Sequence, residues 1–324
     1  MTRAFLTLFA AIAFATSASA QTPELVTEEM MVRSPDAGVE IFVRNKRPAA
    51  MTAFRPERTV LFVHGATYPA HTSFDLKLDG RSWIDYIASR GYDVYLLDVR
   101  GYGKSTRPKE MADDAKNNQP IVRGDTAVED IGTVVDFILA RRNIPRLNLL
   151  GWSWGTTLMA TYTTQNASRV ERLVLYAPSW IRQTPSLVQA GLGPLGAYRT
   201  VRRDQALTRW LTGVPEDKKA TLIPAGWFDA WADATFASDP EGAKMNPTVL
   251  VDVVTTRGLS SRCLKSYHSV EARHDVAPVP AGEPVPGEAQ RGVRDTAGVS
   301  VLELQNPAAG RGQVLLRMAD GRRG

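Results

Sequence analysis

The sequence predicts an α/β fold: a mostly parallel sheet with helices on both faces and a helical cap inserted toward its end. Three observations carry that expectation. Short continuous apolar runs such as "TVLFV", "VYLLDV" and "LNLL" end at glycine or turn residues, as strands buried on both faces do. Between them lie runs with helical spacing, and this strand–helix alternation over about 120 residues implies parallel strands joined by crossover helices. After residue 180 the buried-strand pattern gives way to short tryptophan-rich helical pieces.

In chain order, "VEIFVRN" alternates like a strand, and "RTVLFVHGA" reads as a buried strand ending at His64-Gly65. "SWIDYIASRG" has helical spacing and stops at Gly91, and "YDVYLLDVRG" is a second buried strand. "TAVEDIGTVVDFILARRN" is a strong amphipathic helix with Asp125 or Thr126 as its expected cap. Strand "LNLLG", helix "TTLMATYTTQN" and strand "VERLVLYAPS" follow. Over 181–260, "RRDQALTRWL" and "PAGWFDAWADATF" are the helical pieces of the expected cap. Trp180, Trp210, Trp227 and Trp231 either pack a core there or line a substrate pocket, packing being the simpler reading of each. The domain expectation is therefore a leader over 1–20, a core over 21–180, the cap over 181–260 and a remainder of the core over 261–324.

Composition sets bounds on function. Hydrophobic residues make up 44% of the 324 and charged residues 23%, ordinary for a globular chain. The formal charge of +5 is not gathered into a basic cluster, which argues against nucleic acid as a partner and leaves a small molecule as the expected one. Residues 1–20 read as a secretory signal: a positive start, the apolar run "AFLTLFAAIAFA", and Ala18-x-Ala20 before a cleavage that leaves Gln21 first. The run is short for a permanent anchor, and no later segment reaches spanning length, so the expected location is the periplasm or the exterior. Cys263 is the single cysteine, which excludes an intrachain disulfide, and "SSRCLKS" around it has none of the turn signals of a thiol nucleophile. The four histidines show no pair at ligand spacing, so neither a metal nor an organic cofactor is expected.

The chemistry centres on "GWSWGT", residues 151–156. A strand ends at Leu150, a helix begins by Thr156, and Gly151 and Gly155 flank Ser153. At so sharp a strand-to-helix bend the glycines avoid side-chain collisions, and the serine hydroxyl is pushed out above the sheet at the positive end of a helix. The stretch "GYGKST" does not make a phosphate loop, because Asp98 stands where that pattern needs glycine, five places before Gly103.

Three motifs in order resemble the α/β-hydrolase family over about residues 35–270. "VLFVHGA" is similar to its His-Gly turn, "LLDVRGYGKS" to its Asp-x-Arg-Gly-x-Gly-x-Ser segment, and "GWSWGT" to its nucleophile elbow, closest to the serine peptidases and esterases with tryptophan beside the serine. The resemblance implies an exported serine hydrolase that cleaves a carboxylic ester or small peptide-like acyl compound through an acyl-Ser153 intermediate. It implies an oxyanion held by the amides of Trp154 and Ala66, with Thr67 as second choice, and a shaping role for His64. A dehalogenase-like member would carry aspartate in the elbow.

The family order also requires an acid and then a histidine after the serine. Only His268 and His274 follow Ser153, and "MADGRRG" holds no histidine where relatives place one. Beyond Tyr267 the chain has no aromatic residue, and about half of residues 271–324 are Gly, Ala, Pro or Arg, which predicts an irregular or disordered tail. Two explanations stay open. The reading frame is damaged after about residue 278, leaving an impaired protein that keeps only the pocket; or the base is His268 or His274, with Asp252 or Asp275 as its acid.

Overall fold

The computed structural model describes residues 22–178, 196–245, 249–252 and 301–305. The leader, Trp180, Cys263, His268, His274, Asp275 and most of the tail lie outside them.

Nine strands and eight α-helices are described. In order they are β1 (Leu25–Arg33), β2 (Glu40–Pro48), β3 (Thr59–Val63), α1 (Ala70–Phe74), α2 (Trp83–Ala88), β4 (Asp93–Leu97), α3 (Gly124–Arg142), β5 (Leu147–Trp152), α4 (Trp154–Gln165) and β6 (Val170–Tyr176). Then come β7 (Arg199–Arg202), α5 (Arg203–Trp210), α6 (Glu216–Leu222), α7 (Trp227–Ala237), α8 (Pro240–Met245), β8 (Val249–Asp252) and β9 (Val301–Gln305). Seven strands form one sheet in the order β1-β2-β4-β3-β5-β6-β9, while β7 and β8 make a separate antiparallel pair.

The four central strands β4, β3, β5 and β6 are parallel, as the apolar runs predicted. The flanks are antiparallel: β1 against β2, β2 against β4, and β9 against β6. A connection of six residues between β1 and β2 is far too short for a crossover, so those two strands must run in opposite directions.

Side-chain alternation divides the core into two layers. Ile41 and Val43 of β2, Leu61 and Val63 of β3, and Tyr95 and Leu97 of β4 face α3 and α4, where they meet Ile131, Val134, Ile138 and Leu158. Their neighbours Phe42, Val60, Phe62, Val94 and Leu96 face the other way and meet Ala70 and Phe74 of α1 and Ile84 and Ala88 of α2. Both faces of the sheet are therefore covered by helices, and each fully buried Leu or Ile contributes roughly 1.5–3 kcal/mol.

Three sequence expectations differ from the structure. The cap of α3 is Arg123, with no side-chain hydrogen bond, and Asp125 lies in the first turn, where a carboxylate still favours the positive helix end. β1 was not expected, because "LVTEEMMVR" carries three polar residues in a row, tolerable at a sheet edge with one wet side. Within the tail expected to be irregular, Val301–Gln305 pair with β6, since five residues suffice for a strand and composition averaged over a long segment conceals them.

Residues 199–245 hold β7 and four helices. Ala206 of α5 and Trp231, Ala232 and Phe236 of α7 pack on Tyr68, with Trp152 and Trp210 beside them. Trp231 meets Tyr68 edge-on at 4.7 Å and Trp210 at 4.7 Å, so both tryptophans contribute to packing. Trp227 is half-buried at the start of α7.

Candidate active site

The C-terminal ends of β4, β3 and β5 lie side by side and bring Asp98, His64 and Ser153 to one edge of the sheet. In open parallel sheets that edge is where ligands bind.

Ser153 occupies the single residue between β5 and α4, with φ 52° and ψ −116°. This is a costly conformation for a side-chain-bearing residue, on the order of 1–3 kcal/mol, and it persists only where neighbours enforce it. The enforcement is visible. A Cβ on Gly151 would lie 2.6 Å from the Gly155 carbonyl carbon, and one on Gly155 would lie 2.6 Å from the carbonyl oxygens of both Val63 and His64. The Ser153 N–H donates to the Tyr176 carbonyl at 3.0 Å, tying the bend to β6.

A serine at a helix start usually has extended backbone and spends its hydroxyl capping the helix. Ser153 does neither: its side chain makes no cap bond to α4, and its residue is half-exposed. Trp152 on one side packs against Phe74 at 6.1 Å and joins the aromatic layer of Phe62, Phe74 and Trp83, while Trp154 on the other is buried in the opposite layer.

The turn after β3 presses against the serine. A Cβ on Gly65 would meet Ser153 Cβ at 2.9 Å and Ser153 Oγ at 3.4 Å. Next come Ala66, half-exposed, and Thr67, buried at φ 83°. The Thr67 N–H donates to the Tyr102 hydroxyl at 3.4 Å, and the Thr67 hydroxyl accepts from Arg199 Nη2 at 3.0 Å. Neither the Ala66 nor the Trp154 N–H bonds to another described residue, in keeping with a turn and a helix start that leave donors unsatisfied.

His64 is fully buried. Its Nε2 accepts from the Val99 N–H at 3.0 Å, so Nδ1 carries the proton and donates to the Gly65 carbonyl at 2.6 Å. His71 of α1 is held by Asp98: Nδ1 meets Asp98 Oδ2 at 2.8 Å, and the His71 backbone N–H reaches Oδ1 at 3.3 Å. Burial would raise the Asp98 carboxyl, but the charge and hydrogen bond of His71, with the Lys104 N–H, hold it below the usual carboxylate range. A Cβ on Gly103 would lie 2.9 Å from His71 Cε1, so the "GYGKS" turn closes over this pair. Arg100 of the same turn clamps Asp130 of α3 through Nε and Nη2, each at 2.6 Å.

Sequence reasoning named Ser153, Gly151, Gly155, Trp154, Ala66, Thr67 and His64, and all seven gather at this edge. It did not find Tyr102, Arg199 or the His71–Asp98 pair. Arg199 lies 132 residues from its partner Thr67, and no local pattern announces such a contact. Asp252 ends β8, and the candidate bases His268 and His274 lie outside the described residues. Among the described residues no group of three His, Cys, Asp or Glu side chains gathers as a metal site would, and no helix is long and apolar enough to cross a membrane.

A central parallel sheet, helices on both faces and a strained serine at a strand-to-helix bend define the class: an α/β protein built for ligand chemistry at its strand ends. A family profile described as alpha/beta hydrolase fold matches residues 58–236, more than half of the chain. The chain belongs to the alpha/beta hydrolase fold family. No curated protein matches it. Among solved structures, a mutant epoxide hydrolase from Vigna radiata is similar at 21% identity, with 46% of this chain and 38% of that one covered and a TM-score of 0.33. This chain thus spans well under half of that relative's length. A CIB-like hydrolase from Thermoplasma acidophilum matches at 20% identity over 49% of this chain and 66% of that one, TM-score 0.36. A thioesterase domain from the curacin biosynthetic pathway matches at 15% identity over 64% and 67%, TM-score 0.39.

Proposed function

We propose that the chain is an exported serine hydrolase that cleaves a carboxylic ester or a small peptide-like acyl compound, with Ser153 as nucleophile. One observation carries the reading: Ser153 is held at positive φ with its hydroxyl unspent on α4 and beside the backbone of Gly65. Ser153 Oγ attacks the carbonyl carbon, and its proton passes to a base. The developing oxyanion accepts from the Trp154 and Ala66 N–H groups, both of which lack another described partner. Thr67 is the weaker second donor, because its N–H already serves Tyr102. The leaving group takes the proton as the tetrahedral carbon collapses to acyl-Ser153, and water repeats the sequence to release the acid. The base is His268 or His274, oriented by Asp252 or Asp275. The helices over 199–245 form the cap, and Trp152, Tyr68 and Trp231 shape the wall it shares with the core. Residues 1–20 are the leader that directs export.

A fluorophosphonate probe on the mature protein tests this, with mapping of the modified residue. Labelling at Ser153, lost in Ser153→Ala together with aryl-ester turnover, is the expected result; turnover unchanged in Ser153→Ala refutes the assignment.

A second reading is that the protein is impaired and only binds. It is favoured by the two described histidines, of which His64 has both ring nitrogens engaged in the turn and His71 is bound to Asp98. Folded protein that fails to label is the result this reading expects.

A further inference from the structure

We propose that Arg199 is a positioning residue for the oxyanion turn, coupling the placement of the helical segment to acyl transfer at Ser153. The inference rests on the serine-hydrolase reading above and deepens it.

Thr67 follows Ala66 directly and stands at φ 83°, a conformation that a β-branched residue leaves unless its surroundings hold it. Tyr102 and Arg199 help to hold it. Tyr102, packed edge-on against His64 at 4.8 Å, accepts its N–H over a long 3.4 Å, and Arg199 donates to its hydroxyl at a full-strength 3.0 Å. Tyr102 belongs to the core turn after β4, whereas Arg199 comes from β7, outside the main sheet. The approach to Arg199 is itself fixed. The Ala197 N–H donates to the Ala115 carbonyl at 2.9 Å, the Tyr198 hydroxyl donates to the Asp113 carbonyl at 2.9 Å, and both side chains are buried in the core. A guanidinium delivered along this docked strand reaches Thr67 as part of a fixed frame. Turning Thr67 toward ordinary backbone angles would rotate the peptide that joins it to Ala66, and the Gly65–Ala66 peptide on the other side of Ala66 would have to readjust, shifting its N–H from the place where charge develops. Donors aimed before reaction begins are worth far more than donors that must be found during it.

The test compares Arg199→Gln, Arg199→Lys, Thr67→Val and Thr67→Ser with the wild type in the full mature chain. Arg202→Gln, an exposed residue on the same strand, is the control for β7. The probes are p-nitrophenyl butyrate and a fluorophosphonate. Arg199→Gln and Thr67→Val are each expected to lower kcat and the labelling rate by about tenfold or more, with KM within about twofold. Their combination is expected to be no worse than either alone, Thr67→Ser to stay near wild type, and Arg199→Lys to fall between. Unchanged kcat in Arg199→Gln, while Ser153→Ala abolishes turnover, overturns the inference and leaves the serine reading standing. Full turnover in Ser153→Ala overturns the serine reading, and the inference with it. In a chain inert to both probes, amide hydrogen exchange of residues 65–67 decides: faster exchange in Arg199→Gln and Thr67→Val supports the coupling, and unchanged exchange overturns it.

Discussion

Ser153 and the three glycines around it work as one packed object. Gly65 leaves room for the serine, Gly155 lets α4 start under the carbonyls of Val63 and His64, and Gly151 lets β5 pass beneath the first turn of α4. A methyl group on Gly155 would sit 2.6 Å from two backbone oxygens, which cannot yield as a flexible side chain can. Gly155→Ala is therefore expected to cost about 3 kcal/mol in urea unfolding and to slow fluorophosphonate labelling at the same time. The same residues show how much of the site was legible in advance. Two glycines bracketing a serine at a strand end are a local steric statement, and local sterics can be read from the order of residues. The histidine roles divide differently: His64 was read as a shaping residue, and its two hydrogen bonds fit that role. The lock between His71 and Asp98 needed the fold, because it joins α1 to the turn after β4 across 27 residues.

At the scale of elements, α3 shows what holds the layers in register. Its apolar stripe of Ala127, Ile131, Val134 and Ile138 faces the sheet, and two buried ion pairs tie it to its neighbours. Asp130, with a side chain 1% exposed, takes the fork of Arg100, and Arg142 in the last turn takes Asp93, which also accepts from Asn45. Removing one partner of such a pair leaves a charge stranded out of water. Asp130→Ala is expected to lose about 3–5 kcal/mol by chemical denaturation, while replacing Arg100 and Asp130 together by Met and Leu should recover most of that loss. The helix was readable from its period of 3.6, yet its cap was not, since Asp125 and Thr126 offered cap-forming side chains two and three residues too late and Arg123 took the position with no side-chain hydrogen bond.

Across the whole molecule, charged groups buried between elements tie stability to pH. Asp98, held by His71, and Asp85 both sit below the ordinary carboxylate range; burial opposes this at Asp85, and Lys46 with the Ser82 N–H overcomes it. A carboxyl whose folded pKa is depressed favours the fold above its unfolded value, and that contribution vanishes as pH falls through the folded one. Stability is expected to be flat near neutrality and to decline below about pH 4, with a shallower decline in Asp98→Asn, measured by urea titration at stepped pH. The helical segment has its own dependence. It joins the core through Tyr68 and Trp231, through the docked residues 197–198, and through the ion pair of Arg107 with Asp239 at 2.9 Å. Trp231→Ala is expected to speed amide exchange in α5 and α7 while leaving α3 and α4 unchanged, because the apolar contact it removes lies outside both main layers.

Order along the chain alone determined the parallel centre of the sheet, the helices between its strands and the bend at Ser153. Each depends on neighbours a few residues apart: a run of apolar side chains, a helical period, a pair of glycines. Tertiary structure decided which side chains surround that bend and where the sheet ends. Thr67 meeting Arg199, Arg100 meeting Asp130, and β9 closing on β6 all join residues far apart in the chain, and only the folded packing of the layers brings them within reach.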